Sequence, residues 1–138
     1  MVIKVLGIVT LAVLALVVGL VTYSCQLRGP TLSVYPADRG VRIEGRFLGE
    51  YSLGFERVRI DEIRTGAVIC DLSGRTTADI DLVAGINTPE TMFGSGTNVV
   101  FRAGSDSCRL ASGKSYRITA WGNNGSGNVR PSSVSIQF

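Results

Sequence analysis

The distribution of hydrophobic and polar positions divides the chain into two parts. From Val5 to Thr22 there are eighteen consecutive residues without a charge. At a rise of ~1.5 Å per residue this run forms a helix of roughly 27 Å, close to the ~30 Å hydrocarbon core of a bilayer. The run is longer than the ~7–15 apolar residues of a secretory signal. The pattern therefore predicts a membrane helix within a hydrophobic anchor or signal segment at residues 1–25.

After Cys25 the periodicity of the chain changes. Residues 26–31 contain Gly29 and Pro30 and are predicted to form a short linker. From residue 32 onward apolar and polar residues alternate, with interruptions by Gly, Asn, Asp and Ser, and a period of two is typical of half-buried β-strands. We therefore predict an all-β domain over residues 32–138, on the extracytoplasmic side of the membrane.

Seven stretches carry the strand pattern, and an eighth strand is allowed by the length of the domain. The pattern breaks at Glu62, which predicts a β-bulge near Asp61. The segment from Gly85 to Gly96 is predicted to be a long loop. The predicted strands are Val41–Phe47, Arg57–Asp61, Ala67–Leu72, Ala78–Leu82, Asn98–Arg102, Tyr116–Ala120 and Ser132–Phe138.

Cys70 and Cys108 are the only cysteines after Cys25. In a secreted domain of this size two cysteines are typical of one disulfide, which places the domain outside the cytoplasm. The alternative is a pair of buried thiols that act as small hydrophobic side chains. We expect the disulfide, and with it a single-pass membrane protein whose domain lies on the extracytoplasmic side.

The residues before Cys25 resemble the box that precedes the lipid-modified cysteine of bacterial lipoproteins. Ser24 fits the position before the cysteine, whereas Tyr23 is bulkier and Thr22 less aliphatic than is usual there. The resemblance implies cleavage before Cys25 and lipidation of its thiol. Three outcomes therefore stay open: a retained membrane helix, a lipid anchor at Cys25, and cleavage to a soluble secreted form.

Charge and composition restrict the classes of function. Thirteen of the fourteen basic residues and all eleven acidic residues follow Cys25, and the two signs are interspersed. The basic stripe expected of a nucleic-acid-binding protein is absent. The chain has no histidine, which removes the usual general base and the commonest zinc ligand. We therefore expect a protein that is not an enzyme and has no catalytic residues, no cofactor and no metal site.

The stretch from Leu110 to Trp121 resembles the end of a fibronectin type III or related immunoglobulin-like domain. In that family a Leu, a Gly and a Tyr at the spacing of Leu110, Gly113 and Tyr116 form a tyrosine corner before strand F. The resemblance implies a β-sandwich in which the Tyr116 ring enters the core and its hydroxyl bonds to the backbone near Leu110. It implies further buried side chains in strand F and in the last strand, namely Ile118, Ala120, Val134, Ile136 and Phe138.

Two small groups of residues are candidates for a binding surface. Trp121 has the opposite parity to Tyr116, which places it on the outer face of its strand, next to Asn123 and Asn124 of the following loop. Tryptophan is a favoured interface residue and also stacks on sugars. The second group is Met92 and Phe93, which offer an apolar contact if they are exposed. The alternatives are that Trp121 packs against a neighbouring strand and that the apolar pair is buried as a lid.

The leading functional hypothesis is a membrane-anchored interaction domain that serves as an accessory or assembly subunit of a membrane complex. Gly7, Ala12, Ala15 and Gly19 allow the helix to pack closely on another transmembrane helix, so Gly19→Leu is expected to weaken co-purification of a protein partner. The alternative hypothesis is a lipoprotein that binds envelope carbohydrate or peptidoglycan through Trp121. Both involve the membrane through residues 5–22, and neither involves nucleic acid.

Overall fold

The computed structural model describes residues 2–27, 30–46, 54–77, 79–102, 107–122 and 131–138. Its first element is one α-helix, α1, over Val2–Leu27. The side chains from Ile3 to Leu20 are all exposed. This 18-residue segment is long and apolar enough to cross a membrane, a property that signal sequences share. The hydrophobic run thus forms the predicted helix, as an anchor or a signal sequence.

The rest of the described chain is mostly β-strand, as the alternating pattern predicts. Its strands form antiparallel sheets in the orders β1–β2–β5, β10–β9–β3–β4–β7 and β6–β8, and a short helix, α2, lies between β6 and β7. The bounds of these elements are β1 Thr31–Ala37, β2 Gly40–Arg46, β3 Phe55–Glu62, β4 Val68–Ser73, β5 Asp79–Val83, β6 Gly85–Asn87, α2 Pro89–Phe93, β7 Val100–Phe101, β8 Cys108–Leu110, β9 Ser115–Gly122 and β10 Pro131–Gln137.

Alternate side chains of the two larger sheets meet in one hydrophobic core. Ile43 of β2 and Ile80 of β5 belong to this core, and so do Ile60 of β3 and Ile118 of β9. All four are fully buried. Their neighbours along each strand point to the opposite face because successive residues of a β-strand alternate. The register between β3 and β4 shifts between Ile60 and Asp61, where the broken pattern predicts a bulge.

Tyr116 connects the turn before β9 to the core. Its side chain is buried, and its hydroxyl oxygen accepts a 2.7 Å hydrogen bond from the backbone N–H of Ala111. The ring meets Phe138 edge-on, with centroids 6.2 Å apart. This bond to the backbone beside Leu110 has the geometry that the resemblance implied. The turn between β8 and β9 is therefore held by a side chain that is also part of the core.

A disulfide joins Cys70 of β4 to Cys108 of β8, with the two Cα atoms 5.3 Å apart. Both cysteines are fully buried. Close to the bond, the buried Asn87 side chain accepts a hydrogen bond from the Val83 N–H and donates to the carbonyls of Val83, Gly85 and Cys108. The disulfide attaches the small β6–β8 sheet to the five-stranded sheet, and Asn87 attaches it to β5 of the three-stranded sheet.

The prediction of a long loop over residues 85–96 was wrong, because this segment contains β6 and α2. Thr88 caps α2: its hydroxyl accepts from the Thr91 N–H, while the Thr91 hydroxyl accepts from the Thr88 N–H. This reciprocal capping satisfies backbone donors that a helix of only five residues leaves open. Met92 and Phe93 of α2 are buried.

The connection between helix and domain is shorter than the sequence pattern indicates. The predicted linker covered residues 26–31, but α1 continues to Leu27 and β1 begins at Thr31. Pro30 between them is buried. The strand β1 escaped prediction because it is an edge strand that contains a proline, which weakens the strand pattern.

We expect Tyr116→Phe to lower the free energy of unfolding by about 1 kcal/mol, because the Ala111 N–H loses its acceptor. Tyr35→Phe is the matched control, since the Tyr35 side chain is exposed on β1. Urea unfolding of the full chain in mild detergent measures both. Equal stability of the two variants would contradict a structural role for the Tyr116 hydroxyl.

We expect the double variant Cys70→Ala/Cys108→Ala to have a free energy of unfolding lower by about 3 kcal/mol or more, because the disulfide closes a loop of 38 residues in the unfolded chain. Cys25→Ala is the control for the loss of a thiol outside the β domain. The same unfolding experiment applies. A double variant as stable as Cys25→Ala would show that the cross-link contributes nothing to the fold.

Candidate functional site

Trp121 lies on the outer face of the five-stranded sheet, where it is half-buried beneath arginines of β3. In the register of β3 and β9, Arg57 lies opposite Trp121 and Arg59 lies opposite Thr119. The guanidinium carbon of Arg57 is 4.5 Å from the centroid of the indole ring, and that of Arg59 is 6.0 Å from it. Both distances lie within the range of a cation–π interaction.

Asp71 of β4 holds the first of these arginines in place. Arg57 donates two parallel hydrogen bonds to the Asp71 carboxylate, of 2.9 Å from Nε and 2.6 Å from Nη2. These bonds lower the pKa of Asp71 against the opposing effect of burial, and the charges of Arg57, Arg102 and Arg59 lower it further. The same hydrogen bonds raise the pKa of Arg57. The pair is therefore ionised at neutral pH.

Arg59 is held in a similar way, through a 3.1 Å hydrogen bond from its Nε to Asp61. We call Arg57, Arg59, Asp61, Asp71 and Trp121 the arginine–tryptophan ladder. Each arginine of the ladder has a carboxylate partner, so the ladder is close to neutral. A sugar that stacked on the indole face covered by Arg57 would have to displace a guanidinium with two hydrogen bonds. This arrangement suits a packed outer face better than a sugar platform.

The structure places Met92 and Phe93, two of the other predicted surface residues, in the core, away from the outer face that carries Trp121. Met92 is 1% exposed and Phe93 is 7% exposed, so neither offers an apolar contact to a partner. The expectation of a surface pair is corrected: α2 turns both side chains into the core beside β5. Asn123 and Asn124 lie outside the described residues. Among the described residues, the predicted binding surface is therefore reduced to Trp121 and its neighbours in the ladder.

The predicted packing residues of the membrane helix share one side of α1. Gly7, Ala12 and Ala15 line a shallow apolar groove together with Ile3, Lys4, Ile8 and Leu11. Gly19 continues the same side one turn beyond Ala15. A Cβ atom added to Gly7 would meet no atom within 4 Å, so no contact within the described chain requires glycine there. Cys25 lies in the last two turns of α1, and its side chain lies outside the described residues.

A cleft that the sequence did not predict lies between two turns at one end of the domain. Its volume is about 470 Å³, and the turns after β3 and before β9 form its walls. Inside it Lys114 donates a 3.1 Å hydrogen bond to the almost buried Glu62, while Ile63 is 42% exposed at the rim. These turns are far apart in sequence, so no local pattern indicates the cleft. Its lining residues are Glu62, Ile63, Arg64, Thr65, Gly113, Lys114 and Ser115.

No protein-family model, curated protein or solved structure matches the chain. Within the described ranges, no three His, Cys, Asp or Glu side chains come together in a way that would hold a metal ion. The groove of α1, the arginine–tryptophan ladder and the cleft are therefore the features from which a function is proposed.

We expect Asp71→Asn to lower stability by about 1 kcal/mol at pH 7, because a partly buried, doubly hydrogen-bonded ion pair is lost. The folded-state pKa of Asp71 lies below its usual value. Its stabilising contribution is therefore fully present above the unfolded pKa of ~3.9 and is lost as the pH falls through the folded pKa. Urea unfolding at pH 7 and at lower pH measures the difference from the unsubstituted chain, which is expected to shrink in acid.

The control for this prediction is Asp79→Asn, since Asp79 is exposed on the outer face of the other large sheet. It is expected to change stability little at any pH. If the two variants lost equal amounts of stability at pH 7, the pairing of Asp71 with Arg57 would be energetically unimportant.

Proposed function

We propose that the protein is a membrane-anchored, non-enzymatic subunit whose extracytoplasmic β domain serves an accessory or assembly role in a membrane complex. The observation that carries the proposal is α1, an apolar helix with every described side chain exposed and with a groove of small residues on one side. The helix is joined by a very short link to a domain with its own core. A retained α1 gives the protein both its anchor and a surface for a partner helix.

The disulfide supports the placement of the domain on the extracytoplasmic side of the membrane. Disulfides such as Cys70–Cys108 persist in oxidising compartments and are rare in the cytosol, so the domain belongs outside the cytoplasm. Lys4 precedes the apolar segment and Arg28 follows it, so the flanking charges do not fix the orientation and the disulfide carries this part of the proposal. The proposed location is a bacterial cell membrane with the domain on the periplasmic face. In the alternative form the chain is cleaved before Cys25 and held by lipid on that cysteine.

We propose further that the domain is a sandwich of the fibronectin type III or immunoglobulin-like kind. Two features support this: the strand orders of the two larger sheets, whose inward side chains share one core, and the bond from the Ala111 N–H to the Tyr116 hydroxyl. The disulfide between β4 and β8, the β6–β8 sheet and α2 are additions to a plain sandwich. Such domains commonly serve as spacers and interaction modules, which agrees with a non-enzymatic role.

The groove on α1 gives the proposed complex a physical basis. Lipid tails are as apolar as leucine, so helices associate in a bilayer mainly through close van der Waals packing and not through the hydrophobic effect. Small residues permit that close approach. Gly7 and Ala15 lie about two turns apart along the groove, which is long enough to seat one crossing helix. Binding of envelope glycan through Trp121 is the weaker proposal, because Arg57 covers the indole ring.

We expect Gly7→Leu and Ala15→Leu each to reduce recovery of partner subunits at least several-fold, because leucine fills the groove. Val13→Phe is the matched control, since Val13 lies on the side of α1 opposite the centre of the groove. The measurement is affinity purification of the full chain from its own membranes in mild detergent, with quantitative mass spectrometry of the bound proteins. Unchanged recovery for the groove variants, or an equal loss for the control, would contradict a role of the groove in partner binding and leave α1 only as a membrane anchor.

A further inference from the structure

The strands of the β domain end at two opposite poles, and the register shows which ends lie together. At one pole the start of β1, Thr31, pairs with the end of β2, Arg46. In the second large sheet, the start of β3 pairs with the end of β9 at Phe55 and Gly122. We call the pole formed by these strand ends the proximal pole.

The two sheets join at the proximal pole through the residues that precede β5. The Phe55 N–H donates to the Thr76 hydroxyl, and the Thr76 N–H donates back to the Phe55 carbonyl. Three residues later β5 begins at Asp79, which pairs with Glu44 near the end of β2. The strand ends of both sheets therefore belong to the same end of the molecule. The opposite end, the distal pole, carries the turns at residues 38–39, 63–65 and 111–114 and includes the cleft.

The connection between α1 and the β domain is too short to allow the distal pole, in place of the proximal pole, to lie next to the bilayer. Pro30 is buried in the domain, so only residues 28 and 29 separate it from the end of α1 at Leu27. Three Cα–Cα steps of ~3.8 Å span at most about 11 Å. The eight residues of β9 extend for about 27 Å between the poles. A retained α1 therefore keeps the proximal pole against the bilayer and the distal pole away from it.

The side chains of the proximal pole suit the headgroup region of a bilayer. Arg46 and Arg75 are exposed there, and neither takes part in the ion pairs found among the described residues. Guanidinium groups bind phosphate through paired hydrogen bonds. Trp121 is one residue from the end of β9, and tryptophan favours the membrane–water interface. Among the described residues of this pole, Glu56 and Asp79 balance the charges of Arg46 and Arg75, which suits zwitterionic headgroups as well as anionic ones.

We propose that the proximal pole rests on the lipid headgroups of the membrane that holds α1, with Arg46 and Arg75 on lipid phosphates and Trp121 at the same level. The proposal rests on the proposed retention of α1. It deepens the proposed function, because it presents the distal pole and its cleft between Glu62 and Lys114 to protein partners.

The chain carries a native probe for this arrangement, since Trp121 is its only tryptophan. The full chain is reconstituted into phosphatidylcholine vesicles with and without a headgroup spin label, and quenching of tryptophan emission is measured. The comparison variant is Trp121→Phe/Ile63→Trp, which moves the tryptophan to an exposed position at the distal pole. We expect quenching at least twofold stronger for Trp121. Equal or stronger quenching at position 63 would overturn the proposal.

A second variant keeps Trp121 in place and lengthens the link by ten Gly and Ser residues after Leu27. Quenching is expected to fall in this variant, and unchanged quenching would show that the short link does not hold the pole at the bilayer. Flotation of the vesicles separates the two proposals. A chain that fails to float contradicts the membrane anchor itself, whereas a chain that floats without quenching contradicts only the orientation.

The two arginines have their own test in the same assay. Arg46→Gln/Arg75→Gln is expected to keep flotation but to lower quenching of Trp121 by about half. Arg39→Gln/Arg64→Gln is the matched control, because both of its positions lie in turns at the distal pole. If the two double variants were quenched equally, the assignment of Arg46 and Arg75 to lipid phosphates would be overturned.

Discussion

The apolar surface of α1 is the constraint from which the rest of the account follows. Side chains from Ile3 to Leu20 are exposed on all sides of the helix, and most are apolar and would be unfavourable in water. The backbone of a helix satisfies its own hydrogen bonds, so lipid can surround it without penalty. In the proposed arrangement this surface lies in a bilayer, and the two residues between Leu27 and Pro30 then set the position of the whole domain.

The β domain is stabilised independently of that helix. Its core is built from alternate residues of two sheets. Tyr116 attaches the turn between β8 and β9 to this core, and the disulfide attaches β8 to it. Outside the core, the arginine–tryptophan ladder covers β3, β4 and β9 with paired charges. Because these pairs leave little unneutralised charge, the ladder contributes to the fold more than to recognition. In the proposed arrangement, the groove of α1 and the distal pole are available to protein partners.

The sequence patterns predicted what depends on local information. The hydrophobic run, the alternating strands and the bulge near Asp61 each leave a signal within a few residues. The resemblance of Leu110, Gly113 and Tyr116 to a tyrosine corner implied the hydrogen bond of the Tyr116 hydroxyl to the backbone. The elements that the sequence patterns failed to predict share a different property. The short elements β6, β8 and α2 have too few residues for a period, so the sequence left open whether Met92 and Phe93 are exposed or buried.

Other features depend on register, which a single sequence does not reveal. The cover of Arg57 over Trp121 exists only because β3 and β9 pair with these residues opposite each other. The cleft needs two turns that lie about fifty residues apart, as the separation of Glu62 and Lys114 shows. The assignment of the proximal pole likewise needs the pairing of strand ends across both sheets. The local sequence pattern therefore predicts the fold class. The ladder, the cleft and the proximal pole depend on the tertiary pairing of strands, which the pattern does not contain.

The most direct test of the central claim is native mass spectrometry of the protein extracted in mild detergent from its own membranes. The account predicts a chain near the full 14.7 kDa, lighter by the two hydrogen atoms lost on forming one disulfide and held with other subunits. A chain that begins at Cys25, carries acyl groups and has no bound partner would contradict the retained helix and its role in a complex.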